Sequence, residues 1–153
     1  MIIIPGVADY VQKALTDGTP IQCHDCGQRV ARYKVNINSG MARFLIWLSK
    51  ESKSNSNTWV DVPVVAPRFV LAGREYSKLQ KWGLVEPKPN VDPTKRTSGI
   101  WRITEKGILF VNNEISVPSF HRSYNNTVLE WSNNQVSIVG ALGEKFDYRQ
   151  LMT

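Results

Sequence analysis

The stretch REYSKLQKWGLVEP, Arg74 to Pro87, decides how this chain is read. Placed on a helix advancing ~100° per residue, Tyr76, Leu79 and Trp82 fall within an arc of about 120°, the face a core would take. Arg74, Lys78 and Lys81, at i, i+4 and i+7, fall within about 60° on the other side, with Ser77 beside them. Gly83 stands where a left-handed residue ends a helix, and Leu84, Val85 and Pro87 suit an extended segment that cannot continue it. The spacing predicts a helix, one half aromatic and one half basic, that feeds directly into a strand.

Outward toward the C-terminus, KPNVDPTKRTSG carries two prolines and the cations Lys88, Lys95 and Arg96, and reads as a basic loop. IWRIT is then a strand, and TEKGILFVNNE a helix capped by Thr104 with Ile108, Leu109 and Val111 as its apolar positions. Toward the N-terminus, PRFVLAG suits a brief helix, TWVDVPVV alternates like a strand, and KSNSN is a break. NSGMARFLIWLSKES is the clearest helix, with Ser39 as its cap and Met41, Phe44, Leu45 and Leu48 as one stripe.

The ends carry different patterns. GVADYVQKALTDGT has Val7, Tyr10, Val11 and Leu15 at helical spacing before a terminating Gly18. IQCHDCGQRVARYKVNI places alternating runs around Cys-x-x-Cys-Gly, the signature of a hairpin with a tight knuckle. After residue 114, turn signals at Asn125-Asn126 and Asn133-Asn134 separate short apolar runs, as in a β-meander, and two short helical turns close the chain, the second capped by Asp147.

The fold expected is therefore α+β: a winged helix-turn-helix core with an N-terminal Cys-x-x-Cys hairpin and a C-terminal β-meander plus short helices. The divisions are 1–37, 38–114 and 115–153. In a winged helix the second helix of the turn motif enters the major groove and the hairpin loop lies along the backbone or minor groove.

The 153 residues suffice for one real core, and 42% hydrophobic with 10% aromatic residues excludes a disordered tail. No apolar run is long enough for a membrane span and MIIIPGVADY is unlike a secretory signal, so a cytoplasmic location is expected. The net charge is +6, but between Arg29 and Lys106 there are 15 Lys/Arg against 6 Asp/Glu. A basic block with acidic flanks favours a polyanionic partner. Trp47, Trp82 and Trp101 occupy expected core positions, whereas Trp59 and Trp131 are open to a stacking role.

The run YSKLQKWGLVEP…GIWRITEKGILFV resembles the wing region of bacterial winged-helix regulators of the MarR and PadR kind, where a KLxxxGLV helix end precedes a W/YRLTxKG strand and helix. From Cys23 to Met152, with CxxCG, NSGMA, YSKLQKWGLVE, GIWRITEKG, YNN and ALGEKFDYRQLM, the chain is similar to a family of small phage- and prophage-encoded proteins. That resemblance implies a winged-helix fold and an infected host cell as the setting, and no molecular role. The N-terminal knuckle and the C-terminal meander depart from ordinary regulators.

CHDCGQ has the form of half a zinc knuckle, in which two thiolates share a tetrahedral ion. The candidates are a site of Cys23 and Cys26 completed by His121, a four-thiolate site shared across a homodimer, a reversible disulfide, and two reduced cysteines in a turn. Zinc is the candidate cofactor. The two histidines lie in no catalytic spacing and the chain lacks a phosphate loop, HExxH and GxSxG, so no enzymatic activity is expected.

Two functions follow. One is duplex DNA binding through Arg74, Ser77, Lys78, Lys81, Lys88, Lys95 and Arg96. The other is docking of the same basic face onto an acidic host or phage protein. Salt dependence separates them, since phosphate contacts release counterions and protein partners are held by apolar anchors.

Overall fold

Asn38, not Ser39, opens the longest helix, α2 (Ser39–Glu51): its extended backbone stands outside the helix and its side chain accepts the Met41 N–H at 2.9 Å. The cap thus falls one residue before the expected Ser39, which is itself the first helical residue. The computed structural model describes residues 8–73, 75–94 and 98–153. Arg74, Lys95 and Arg96 of the expected basic set lie outside the described residues, as does Val7. The architecture is α+β, and contacts divide the chain into two units, one of residues 1–36 and 120–133, the other of residues 37–119 and 134–153.

In the larger unit Met41, Phe44, Leu45 and Leu48 are all buried, as their stripe predicts, and α2 packs against most of the surrounding elements. The alternation of TWVDVPVV yields only a two-residue strand, β4 (Val60–Asp61). Pro63 then sits in the first turn of a short helix, α3 (Val62–Val65), where its missing N–H costs nothing. The brief helix expected in PRFVLAG is α4 (Arg68–Gly73).

Tyr76–Trp82 is helical, but it is a 3-10 helix rather than an α-helix. Its apolar spacing suits this form. Tyr76, Leu79 and Trp82 recur every three residues, so three residues per turn stacks them on one line, whereas 3.6 would fan them apart. Leu79 and Trp82 are buried and Tyr76 half-buried, stacked on Phe44 at 4.6 Å and edge-on to Trp101 at 5.9 Å. Gly83 ends the helix at φ 73°, and its N–H reaches the carbonyl of Gln80.

The chain continues into β5 (Val85–Pro87), which pairs antiparallel with β6 (Ile100–Ile103) in the register Val85 to Ile103 and Pro87 to Trp101. β6 also pairs with β4, giving the sheet order β4-β6-β5. Thr104 caps α5 (Glu105–Val111) by accepting the Gly107 N–H, as expected. Of its expected apolar positions Val111 is buried and Ile108 half-buried, but Leu109 is 41% exposed, and Gly107 and Phe110 complete the inner face. β7 (Val117–Pro118) pairs with β10 (Gln135–Val136). α6 (Ile138–Leu142), capped by Ser137, and α7 (Tyr148–Met152), capped by Asp147, complete this unit.

The smaller unit contains α1 (Asp9–Asp17), a hairpin of β1 (Ile21–Gln22) and β2 (Arg29–Val30), and a sheet ordered β3-β8-β9 from Tyr33–Asn36, Phe120–Tyr124 and Thr127–Trp131. Asn125 and Asn126, with φ of 49° and 64°, make the two-residue turn between β8 and β9. The hairpin expected in the C-terminal meander therefore pairs with the N-terminal β3. The core here is small: Val11, Leu15 and Val30, flanked by Tyr10, Ile21, Cys23, Tyr124 and Leu129. No helix among the described residues is long and apolar enough to cross a membrane.

Candidate functional site

Two groups of predicted residues are placed, one in each unit. On the 3-10 helix, a three-residue repeat sorts the side chains into rows: Tyr76, Leu79 and Trp82 inward, Lys78 and Lys81 in a second row, Ser77 and Gln80 in a third. Lys78, Lys81 and Ser77 are all exposed. The helix is pinned from within at its end, where Trp82 donates its indole N–H to the Pro118 carbonyl at 2.7 Å and Lys106 Nζ donates to the Trp82 carbonyl at 2.9 Å. A cation at that carbonyl end also suits the helix dipole.

Lys88 is exposed at the end of β5, where its N–H donates to the Ile100 carbonyl at 2.8 Å and its carbonyl accepts the Ser98 hydroxyl at 2.7 Å. The loop beyond it is shaped by its own side chains. Asn90 accepts the Asp92 N–H, and Asp92 accepts both the N–H and the hydroxyl of Thr94 at 2.9 and 2.7 Å. Val91 is 95% exposed there.

The basic surplus of the middle of the chain is only partly available to a partner. The Arg43 guanidinium lies over the rings of Phe69 and Phe146, and that of Arg102 pairs with Glu86 and covers Trp59. Lys50 donates to the backbone carbonyl of Thr153 at 2.9 Å. Sequence reading also missed Glu75, whose carboxylate lies 3.6 Å from Lys78 Nζ and accepts from Asn38 Nδ2 at 2.7 Å. The i,i+3 spacing of Glu75 and Lys78 was the available signal.

The second group surrounds the knuckle. Gly27 N–H donates to the Cys23 carbonyl at 2.8 Å and Cys23 N–H to the Gln28 carbonyl at 2.7 Å, so the turn between β1 and β2 closes on the cysteines. The Cys23 thiol is lowered to about 7, first by the Cys26 N–H, then by the Asp25 N–H, the Tyr10 hydroxyl and the Cys26 thiol, against a smaller opposing effect of burial. Tyr10 donates to Cys23 Sγ at 3.7 Å, accepts the His24 N–H at 2.9 Å, and stacks on the His24 ring at 3.8 Å. The His24 N–H lowers the Tyr10 phenol, but desolvation and the nearby negative charge of Cys23 and Asp25 outweigh it and raise the phenol above its usual value.

Tyr10 has the spacing of a helix-stripe residue, and its hydroxyl role at the knuckle carries no sequence pattern of its own. His121 lies on β8, buried and edge-on to Trp131 at 5.1 Å, and the structure does not bring it to Cys23 and Cys26. Among the described residues no group of three or more His, Cys, Asp or Glu is placed to hold a metal ion. Trp131 is 40% exposed and Trp59 half-buried under Arg102. No family model, curated protein or solved structure matches the chain.

Proposed function

We propose that the larger unit is a winged-helix module that binds duplex DNA through Lys78 and Lys81 of the 3-10 helix and Lys88 at the base of the wing. The order of elements supports this reading. α2 is followed by β4, the short helices α3 and α4, the 3-10 helix, β5, a loop and β6, and β4 pairs with the far strand of the hairpin, as the first strand of a winged helix does. The observation that carries it is the sorting of the 3-10 helix: its three-residue apolar row is anchored in the core while the lysine row faces outward.

A helix of seven residues in 3-10 form is about 14 Å long at ~2.0 Å per residue, so its lysines reach phosphates more readily than base edges. Binding is then chiefly electrostatic and weakly sequence-specific. The competing partner is an acidic protein, for which Val64, Val65 and Leu71 of α3 and α4, all exposed, offer apolar anchors.

The test is duplex binding by fluorescence anisotropy across a salt series. With ~3 phosphate contacts, one for each lysine, the slope of log affinity against log salt reaches about −2.7; each of Lys81→Ala and Lys88→Ala reduces it by about 0.9, and Lys78→Ala, whose ammonium is shared with the Glu75 carboxylate, by less. Undetectable binding at ~50 mM salt, where the electrostatic contribution is strong, removes the proposal and leaves the face to a protein partner.

A further inference from the structure

The knuckle has a chemistry that nucleic-acid binding does not use. We propose that Cys23 and Cys26 form a thiol–disulfide couple, in which Cys23 attacks a low-molecular-weight disulfide and Cys26 resolves the adduct. The Cys23 sulfur accepts the Tyr10 hydroxyl at 3.7 Å, a donor that favours the anionic form that attacks.

Cys26 lies three residues on in the same tight turn, which the Gly27 N–H closes on the Cys23 carbonyl at 2.8 Å, so the resolving thiol is carried beside the attacking one. Access is open: Cys23 is half-buried and Cys26 exposed. A depression lined by Pro20, Ile21, Gln22, His24 and Arg29, including the neighbours of Cys23 on both sides, offers a small reagent a seat. The turn is braced by the Gly27 to Cys23 hydrogen bond and by the Tyr10–His24 stack, which hold the attacking sulfur in place.

The step balances with the disulfide as oxidant. The Cys23 thiolate forms a bond to one sulfur of RS–SR while that bond breaks, and RS⁻ leaves. Cys26, its proton passed to solvent, then attacks Cys23 Sγ, the Cys23–Cys26 bond forms, and a second RS⁻ departs. The protein gives up two electrons and two protons, and the reagent becomes two thiols. Closing so short a loop removes little chain entropy, so the couple is a chemical switch rather than a structural staple.

The full chain, reduced and folded, is treated with oxidised glutathione and followed by intact mass and peptide mapping. The expected product has lost two hydrogens, maps to a Cys23–Cys26 bond and reverts with dithiothreitol. Cys26→Ser accumulates a mixed disulfide on Cys23, and Cys23→Ser reacts at its remaining thiol at least ~3-fold more slowly, the thiolate gain being partly offset by lower intrinsic nucleophilicity. Tyr10→Phe, which keeps an aromatic ring for His24, slows the first step. Equal rates for the two single-cysteine variants, a wild-type rate unchanged in urea, or a mixed disulfide that never resolves would each overturn the proposal.

Discussion

Gly107 of α5 lies directly against the backbone of Leu84: a Cβ at Gly107 would meet the Leu84 carbonyl oxygen at 2.2 Å and Ile103 Cγ1 at 2.7 Å. The close approach seats α5 on the strand pair, with Thr104 N–H donating to that same carbonyl at 3.1 Å. Alanine would ordinarily favour a helix interior by about 1 kcal/mol over glycine. Here the neighbour is backbone and cannot step aside. Gly107→Ala should therefore destabilise by about 1–3 kcal/mol, as overpacking does, read as a lower urea midpoint at unchanged m-value. A raised midpoint would mean that α5 can shift away from Leu84.

The 3-10 row supplies a second stability prediction. Leu79 is fully buried and Gln80 beside it is exposed. Leu79→Ala should cost about 2–5 kcal/mol, and Gln80→Ala should stay within about 0.5 kcal/mol. Thermal or urea unfolding of the two variants checks the pair, and comparable losses would show that the helix does not present one row to the core.

Much of this arrangement was legible in the residues. Met41, Phe44, Leu45 and Leu48 declared the buried face of α2, Thr104 and Asp147 declared their caps, and Gly83 declared where its helix ends. What escaped was set by competition between near-equal local choices. An i, i+3, i+6 apolar row fits both helix types until tertiary contacts choose the tighter one, and Val62–Val65 alternates like a strand although Pro63 suits a first helical turn. The pairing of β3 with β8 joins residues more than 80 positions apart, and no local pattern encodes it. At the candidate sites, exposure of the lysines followed from helical spacing, but the Glu75 and Tyr10 contacts depended on side-chain direction.

The donors around Cys23 also set a pH dependence. In Cys26→Ser, which removes one of the weaker contributors, alkylation of Cys23 by iodoacetamide should still have its midpoint nearer 7 than the ~8.5 of an unperturbed thiol. Tyr10→Phe should move that midpoint upward. The folded-state pKa is depressed, so the associated stability is present above the unfolded thiol's pKa and is lost as pH falls through about 7. A midpoint in the folded variant equal to that in urea would show that the converging donors do not act on the thiolate.

Glu75 provides the sharpest separation of charge from fold on the proposed DNA-binding face. Its pairing with Lys78 is exposed on both sides and contributes little to stability. Its contact with Asn38 can be retained by an amide, so Glu75→Gln should unfold within about 0.5 kcal/mol of the parent chain. The substitution nevertheless removes a negative charge beside Lys78 and releases that ammonium for a phosphate. Duplex affinity at low salt should rise about threefold, the slope of log affinity against log salt should steepen by up to about 0.9, and the two proteins should converge at high salt. In the double variant Glu75→Gln with Lys78→Ala most of the gain should vanish, because the released cation is no longer there. An unchanged slope in a Glu75→Gln protein that folds normally would place Lys78 away from the phosphates, whatever the remaining lysines do.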